Sequence, residues 1–288
     1  MIHVCRRCLY VLLNLMTEEN FVMKKDSSEI IDSPSFDPSK MIRISAKDLG
    51  RFALPDICPR CQWLRFKCQN RLPFQKFAGI SMILDSYTKR IVHGYFEQHQ
   101  KAPPFLSPLG ELIRIVPVPH HSRFYWDDPD TGIRLTGTPD DIFLREDSAF
   151  VIVDYKTVRL NENQTHILPM YEVQLNGYAI IAEENGYAPV EQVGLIYFEP
   201  QTALESDLVA GQNDQGFQMS FKARFVKIEL DPHRIIPPLL KQARELADLK
   251  EPPSSREGCK DCLMVDELIG WLVSENEPSQ EAIKTLNL

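Results

Sequence analysis

Gly137-Thr138-Pro139-Asp140, followed by Asp154-Tyr155-Lys156, constrains this chain more than any other stretch. Ile142-Phe143-Leu144 and Phe150-Val151-Ile152-Val153 are β-branched and aromatic runs that favour strands, and the mostly polar Arg145 to Ala149 supplies a turn. A turn centred on Asp147 sets Asp140 directly opposite Asp154. Opposed residues on one sheet face have Cβ atoms about 4.5–5.5 Å apart, and like charges placed so are destabilising without a counter-ion. A divalent cation removes that repulsion, and carboxylate oxygens suit Mg²⁺ or Mn²⁺. Strand alternation returns Lys156 to the same face as Asp154. A slip of one residue would present Asp141 in place of Asp140. Without a metal, Thr-Pro-Asp-Asp is ordinary turn chemistry and Asp-x-Lys a buried strand emerging into solvent, so the hairpin alone leaves both readings open.

The next element separates them. Pro169 to Asn185 reads as a helix opened by proline and stopped at Gly186, which puts Gln174 and Tyr178 on one face. Gly-x-x-Asp, then Asp-x-Lys, then Gln-x-x-x-Tyr, in that order across residues 137–178, resembles the RecB-like branch of the PD-(D/E)xK nuclease superfamily. The organisation is comparable over residues 45–265. The resemblance implies an α/β fold with a restriction-endonuclease-like core, a mixed sheet flanked by helices, that binds Mg²⁺ or Mn²⁺ and hydrolyses DNA. It makes Asp140 and Asp154 metal ligands and Lys156 the group that orients or activates the attacking water. Gln174 and Tyr178 would contact the substrate backbone or brace the site. Many relatives place a histidine ligand on the helix before the sheet, and His93 is the candidate here; the other reading is a packing histidine on an amphipathic helix. Glu97 and Glu111 are alternative acidic contributors.

Cysteines form a second constellation. Cys58-Pro59-Arg60-Cys61 and Cys259-Lys260-Asp261-Cys262 flank the core, and four thiolates from two such pairs suit a tetrahedral Zn²⁺ or an iron–sulfur cluster. Similar nucleases, of the AddB type and the CRISPR-associated adaptation type, hold a [4Fe–4S] cluster with one cysteine before the core and three after. This chain divides two and two, with Cys68 as a further cysteine, so the resemblance implies a [4Fe–4S] cluster while structural Zn²⁺ stays open. Either would brace the chain's extensions against each other. Cys5-Arg6-Arg7-Cys8 is a third such pair, on an N-terminal stretch with little else to order it and with Met16, Met23 and Met41 as other starts.

Seven cysteines with no disulfide-like framework point to the cytoplasm. The run Leu9 to Leu13 is too short for a secretory signal, and no segment approaches the ~18 apolar residues of a membrane span. A net charge of −8 argues against passive wrapping of nucleic acid. From Ile57 to Leu84, however, Arg60, Arg65, Lys67, Arg71 and Lys76 interleave with Trp63, Phe66, Phe74 and Phe77 and no acid intervenes. That pattern is a surface for tracking phosphates and stacking bases, or an amphipathic helix with a solvated basic face.

The expected organisation is a disordered segment over 1–40, a cysteine-bearing arm over 41–77, the nuclease core over 78–250, a cysteine segment over 251–273 and an acidic tail over 274–288. Within it, Ser45 to Leu49 opens a helix, 78–99 is the helix before the sheet, and Leu112 to Val118 is the first strand. Val193 to Phe198 and Phe217 to Leu230 are later strands, Gln201 to Gln215 a loop, and Pro232 to Leu249 a helix. No Gly-rich phosphate loop is present, which excludes an ATPase of that type. The expected function is a metal-dependent DNA nuclease in repair, recombination or defence, with DNA as partner and a helicase or CRISPR/repair complex around it. The alternatives are a nuclease-fold scaffold whose chemistry is dispensable and, last, a zinc-binding interaction protein.

Overall fold

The computed structural model describes residues 41–70, 79–201 and 212–276. The chain divides into two compact units, one built from 40–55 and 76–244 and the other containing 56–75 and the residues from 245 onward.

In the first unit, β1 (Ile42–Ser45) leads into the short helix α1 (Ala46–Gly50). Ser45 caps that helix as expected, its hydroxyl accepting from Asp48 N at 3.0 Å. Residues 41–55 therefore belong to the core unit and not to the cysteine arm, because β1 pairs in parallel with β4 (Ile133–Thr136), a partner some ninety residues away. β3 (Tyr125–Asp128) completes this small sheet in the order β1-β4-β3. The sequence reading contains none of its strands: each is four residues long, too short to show a period.

The larger sheet has the order β10-β7-β6-β5-β2, built from β2 (Leu112–Val116), β5 (Asp141–Arg145), β6 (Phe150–Lys156), β7 (Val190–Pro200) and β10 (Phe221–Ile228). Only β6 and β7 run parallel. The strands foreseen at 112–118 and 193–198 lie in it, and of that foreseen at 217–230 the residues 221–228 do, Phe217 falling in a separate ribbon. Of the expected loop over 201–215, residues 202–211 fall outside those described, and β8 (Gln212–Asn213) with β9 (Gly216–Phe217) makes a two-stranded ribbon.

Helices cover both faces of this sheet. On one, Val92 and Phe96 of α3 (Gly79–His99) pack with Phe143, Val151, Val153 and Tyr155. On the other lies α5 (Leu168–Glu184), preceded by the short α4 (Glu162–His166) and buried from Met170 to Ala182 apart from Glu172, as a helix apolar nearly all round must be. α5 packs against α1, and the two backbones meet closely. A Cβ on Gly177 would stand 2.8 Å from Ala46 Cβ. α6 (Pro232–Asp248) follows β10, matching the expected helix.

The second unit contains α2 (Pro59–Lys67) and α7 (Lys260–Asn276), each beginning within its Cys-x-x-Cys pair. Trp63 Nε1 donates to Leu249 O at 3.0 Å, Lys67 Nζ to Ala247 O at 3.2 Å, and Arg60 makes a bidentate pair with Asp266 at 2.6 and 3.0 Å. The basic–aromatic run over 57–84 is thus partly structural: Trp63 is buried, and Arg60 and Lys67 bond within their own unit. Residues 1–40, 71–78 and 277–288, with Cys5, Cys8, Arg71, Lys76 and most of the acidic tail, lie outside the described residues. Among the described residues no helix is long and apolar enough to cross a membrane.

Candidate active site and cysteine centre

The hairpin adopts the register that a turn at Asp147 requires. Asp141 pairs with Val153, Ile142 with Ile152, Phe143 with Val151 and Leu144 with Phe150; continued by one residue, that register faces Asp140 with Asp154. Asp140 Oδ2 accepts from Tyr155 N at 2.7 Å, and Asp140 Oδ1 lies 2.8 Å from Lys89 Nζ. Asp154 is buried. Its Oδ1 accepts from Gln174 Nε2 at 3.2 Å, while its Oδ2 accepts no hydrogen bond of normal geometry and forms an ion pair with Lys156 Nζ. Gln174 Nε2 also donates to Tyr178 OH at 2.7 Å, one helical turn on. Sequence reasoning grouped these five residues, and the structure brings them together on the α5 side of the sheet.

Burial pushes the Asp154 carboxyl above the usual range, against the pull of Lys156. For Lys156 burial works downward, but the charge of Asp154 outweighs it and the pKa stays above that of an ordinary lysine. Lys156 therefore remains an ammonium, its Nζ 4.6 Å from the centre of the Tyr171 ring. Lys47 of α1 feels the same site: burial, then the charge of Lys156, lowers its pKa. Burial, then the charge of Asp140, raises the Asp85 carboxyl.

His93, on α3, is half-buried beside the hairpin. Its Nε2 lies 2.7 Å from Oδ1 of Asp141, whose Oδ2 accepts from Tyr155 OH at 2.6 Å. Asp141 and Tyr155 follow Asp140 and Asp154 by one residue each and so point to the opposite, α3, face of the strands. Burial raises the Asp141 carboxyl, and the bonds from Tyr155 and His93 only partly offset it. Glu97 is exposed and shares a cleft of about 600 Å³ with Asp85, Lys89, Arg90 and His93. Glu111 is not part of the site. Its carbonyl accepts from Glu146 N at 3.0 Å beside the turn, at the other end of β5 and β6 from Asp140 and Asp154.

Tyr155, Lys89, Lys47, Asp85 and Tyr171 are the site-bordering residues that the sequence reading did not foresee, while Asp141, named there only as a substitute for Asp140, lies on the other face. The spacing Asp85, Lys89, His93, Glu97 is a row of i, i+4 positions along one face of α3, a signal that would have found Lys89. Nothing local marks Lys47.

Gly137 links two of the motifs. A Cβ there would fall inside contact distance of the Tyr178 ring, so the hairpin strand and the Gln-x-x-x-Tyr helix meet where only glycine fits. Gly137→Ala is expected to displace Tyr178 and lower stability by about 1–3 kcal/mol, measured by denaturant unfolding. A variant as stable as the parent would show that the ring has room to move.

In the cysteine centre the Sγ atoms of Cys58, Cys61, Cys259 and Cys262 all lie within 4.8 Å of one another. Cys58 and Cys262 are 3.6 Å apart, Cys61 and Cys259 3.5 Å, and Cys61 and Cys262 3.4 Å. Among the described residues no other set of three or more His, Cys, Asp or Glu ligand atoms converges so closely. Burial raises the Cys58 thiol, but hydrogen bonds from Arg256 N, at 3.3 Å, and from neighbouring thiols bring it down to about 7. Burial pushes Cys262 up to about 12 and Cys61 higher still. Loss of the Cys58 proton is eased and loss of those on Cys61 and Cys262 opposed, as crowded thiols without a cation require. Cys68 is buried apart from these four and is not among their number.

A mixed sheet with helices on both faces, carrying opposed carboxylates and a lysine at the mouth of its central hairpin, defines a restriction-endonuclease-like fold. The profile of the PD-(D/E)XK nuclease superfamily matches residues 59–266, and the chain belongs to that superfamily. Metal-dependent phosphodiester cleavage is the class of activity that comes with the membership. Among solved structures, that of SSO0001 is 14% identical over 92% of this chain and 93% of that one, with a TM-score of 0.39. LHK-Exo in complex with dAMP is 10% identical over 81% of this chain and 92% of that one, with a TM-score of 0.36. No curated protein matches the sequence.

Proposed function

We propose that this chain is a Mg²⁺- or Mn²⁺-dependent deoxyribonuclease of the RecB-like branch, acting in the cytoplasm in DNA repair, recombination or defence, beside a helicase or within a CRISPR or repair complex. The observation that carries the reading is a concentration of unsatisfied polarity. Gln174 Oε1, Thr157 Oγ1 and Tyr197 OH are buried without hydrogen-bond partners, Asp154 Oδ2 has only the Lys156 ammonium against it, and Tyr197 pairs across the sheet with Lys156. Each such atom costs about 1–3 kcal/mol, an expense that a polar ligand at this spot would offset. Two hard carboxylates facing each other fit a small divalent cation.

Asp140 and Asp154 would hold the ion, with His93 as a third ligand through Nδ1, its Nε2 being committed to Asp141; a carboxylate that orients a ligating imidazole is a common arrangement. Bound there, the ion supplies Lewis acidity, lowering the cost of forming hydroxide and stabilising charge on the phosphoryl oxygens. Lys156 would orient or activate the attacking water, its ammonium paired with Asp154 in the metal-free site. Gln174 and Tyr178, both buried, brace Asp154 and leave substrate contact to others. Labelled single- and double-stranded DNA with Mn²⁺ tests the reading: metal-dependent cleavage is expected. Tight binding without cleavage would put the scaffold reading in its place.

For the cysteine centre the sulfur spacing favours zinc over the [4Fe–4S] cluster that the resemblance implied. Four thiolates about 2.3 Å from one tetrahedral ion stand about 3.8 Å apart, near the 3.4–3.6 Å seen. A four-iron cube binds each thiolate through a different iron and spreads the sulfurs wider.

A further inference from the structure

We infer that Lys89 is a built-in counter-ion that occupies Asp140 until a divalent cation displaces it, so that this one side chain sets how tightly the site takes metal. The inference rests on the reading of Asp140 and Asp154 as the metal-holding pair.

Each of the two carboxylates carries its own lysine, and the two lysines are differently placed. Lys156 extends from the same strand as Asp154, its side chain 16% exposed and its ammonium against Tyr171, and has no alternative position in solvent. Lys89 reaches Asp140 from α3, a separate element. Its side chain is 36% exposed and lines the open cleft it shares with Arg90 and His93. A flexible four-carbon stem at such an edge can carry the ammonium away at small cost.

Both oxygens of Asp140 are engaged while Lys89 is in place. Oδ2 is fixed by Tyr155 N–H at 2.7 Å, and Oδ1 is the atom 2.8 Å from Lys89 Nζ. Mg²⁺ approaches a carboxylate oxygen to about 2.0–2.1 Å, and a cation that close to Oδ1 would repel an ammonium still bound there. Without metal, Asp140 faces Asp154, with Asp85 nearby adding to the negative charge, and Lys89 relieves that repulsion. The same contact that steadies the metal-free site therefore opposes metal binding, and removing it has two effects of opposite sign.

The experiment uses the full chain, dialysed against a weak chelator that leaves the thiolate-bound ion in place, and Mn²⁺ titrated calorimetrically without DNA. Parent, Lys89→Met and Asp154→Asn are compared, with melting curves recorded in chelator and in saturating Mn²⁺. Lys89→Met is expected to melt lower than the parent in chelator, to bind Mn²⁺ about tenfold more tightly, as loss of a competing charge would allow, and to match or exceed the parent in saturating Mn²⁺. Unchanged or weaker Mn²⁺ binding by Lys89→Met, with binding still lost in Asp154→Asn, would overturn the counter-ion role and leave the carboxylate pair standing. Mn²⁺ binding that survives Asp154→Asn, or is absent from the parent, would overturn both.

Discussion

Asp154→Asn is expected to reduce Mn²⁺-dependent DNA cleavage by on the order of a thousandfold or more, the scale seen when one preorganised charge-stabilising group is removed. Asparagine keeps the shape and an oxygen for Gln174 Nε2, but loses the charge that faces Asp140 and pairs with Lys156. That pair is largely buried, so the variant also leaves an uncompensated ammonium, at a cost of up to about 3–5 kcal/mol. Loss of activity must therefore be separated from loss of fold. The double variant Asp154→Asn/Lys156→Gln removes both charges. It should regain most of the stability while cleaving no better than the single variant, because groups that act as a unit are not additive. Residual cleavage within tenfold of the parent in a folded Asp154→Asn protein would remove Asp154 from the chemistry.

The second large effect concerns the cysteine centre. The protein purified without added metal should carry one zinc per chain by elemental analysis and no absorption band near 400 nm. Cys262→Ser should lose the ion. The buried cluster there consists of Cys58, Cys259 and Cys262 with Cys61 packed against them, so a bound metal would contribute much of what holds α2 to α7. Structural zinc contributes about 10–16 kcal/mol of apparent binding free energy at neutral pH, more than a typical domain's whole stability. Without it Trp63, now buried, should become exposed and its fluorescence shift to the red. Iron and sulfide in stoichiometric amounts would reverse the assignment of the metal. An unaltered Trp63 signal in metal-free Cys262→Ser would show that other contacts suffice.

What could be read from the sequence, and what could not, follows from how far each determinant reaches along the chain. The β5–β6 hairpin, its register and the helix carrying Gln174 and Tyr178 were legible because strand alternation, turn polarity and helical spacing act over a few residues. The convergence of Cys58, Cys61, Cys259 and Cys262 was legible despite some two hundred intervening residues, since two such pairs have few other uses. The tertiary structure alone decided the rest. It brought β1 and α1 out of the expected arm and into the core, through pairing with β4 and packing on α5. It set His93 Nε2 against Asp141, which alternation sends with Tyr155 to the α3 face while Asp140 and Asp154 stay on the other. It placed Lys89 and Lys47 beside the carboxylates from helices that no local pattern connects to the hairpin. It also set the thiol spacing, because distances between sulfurs depend on how two helix starts meet and not on the residues within either.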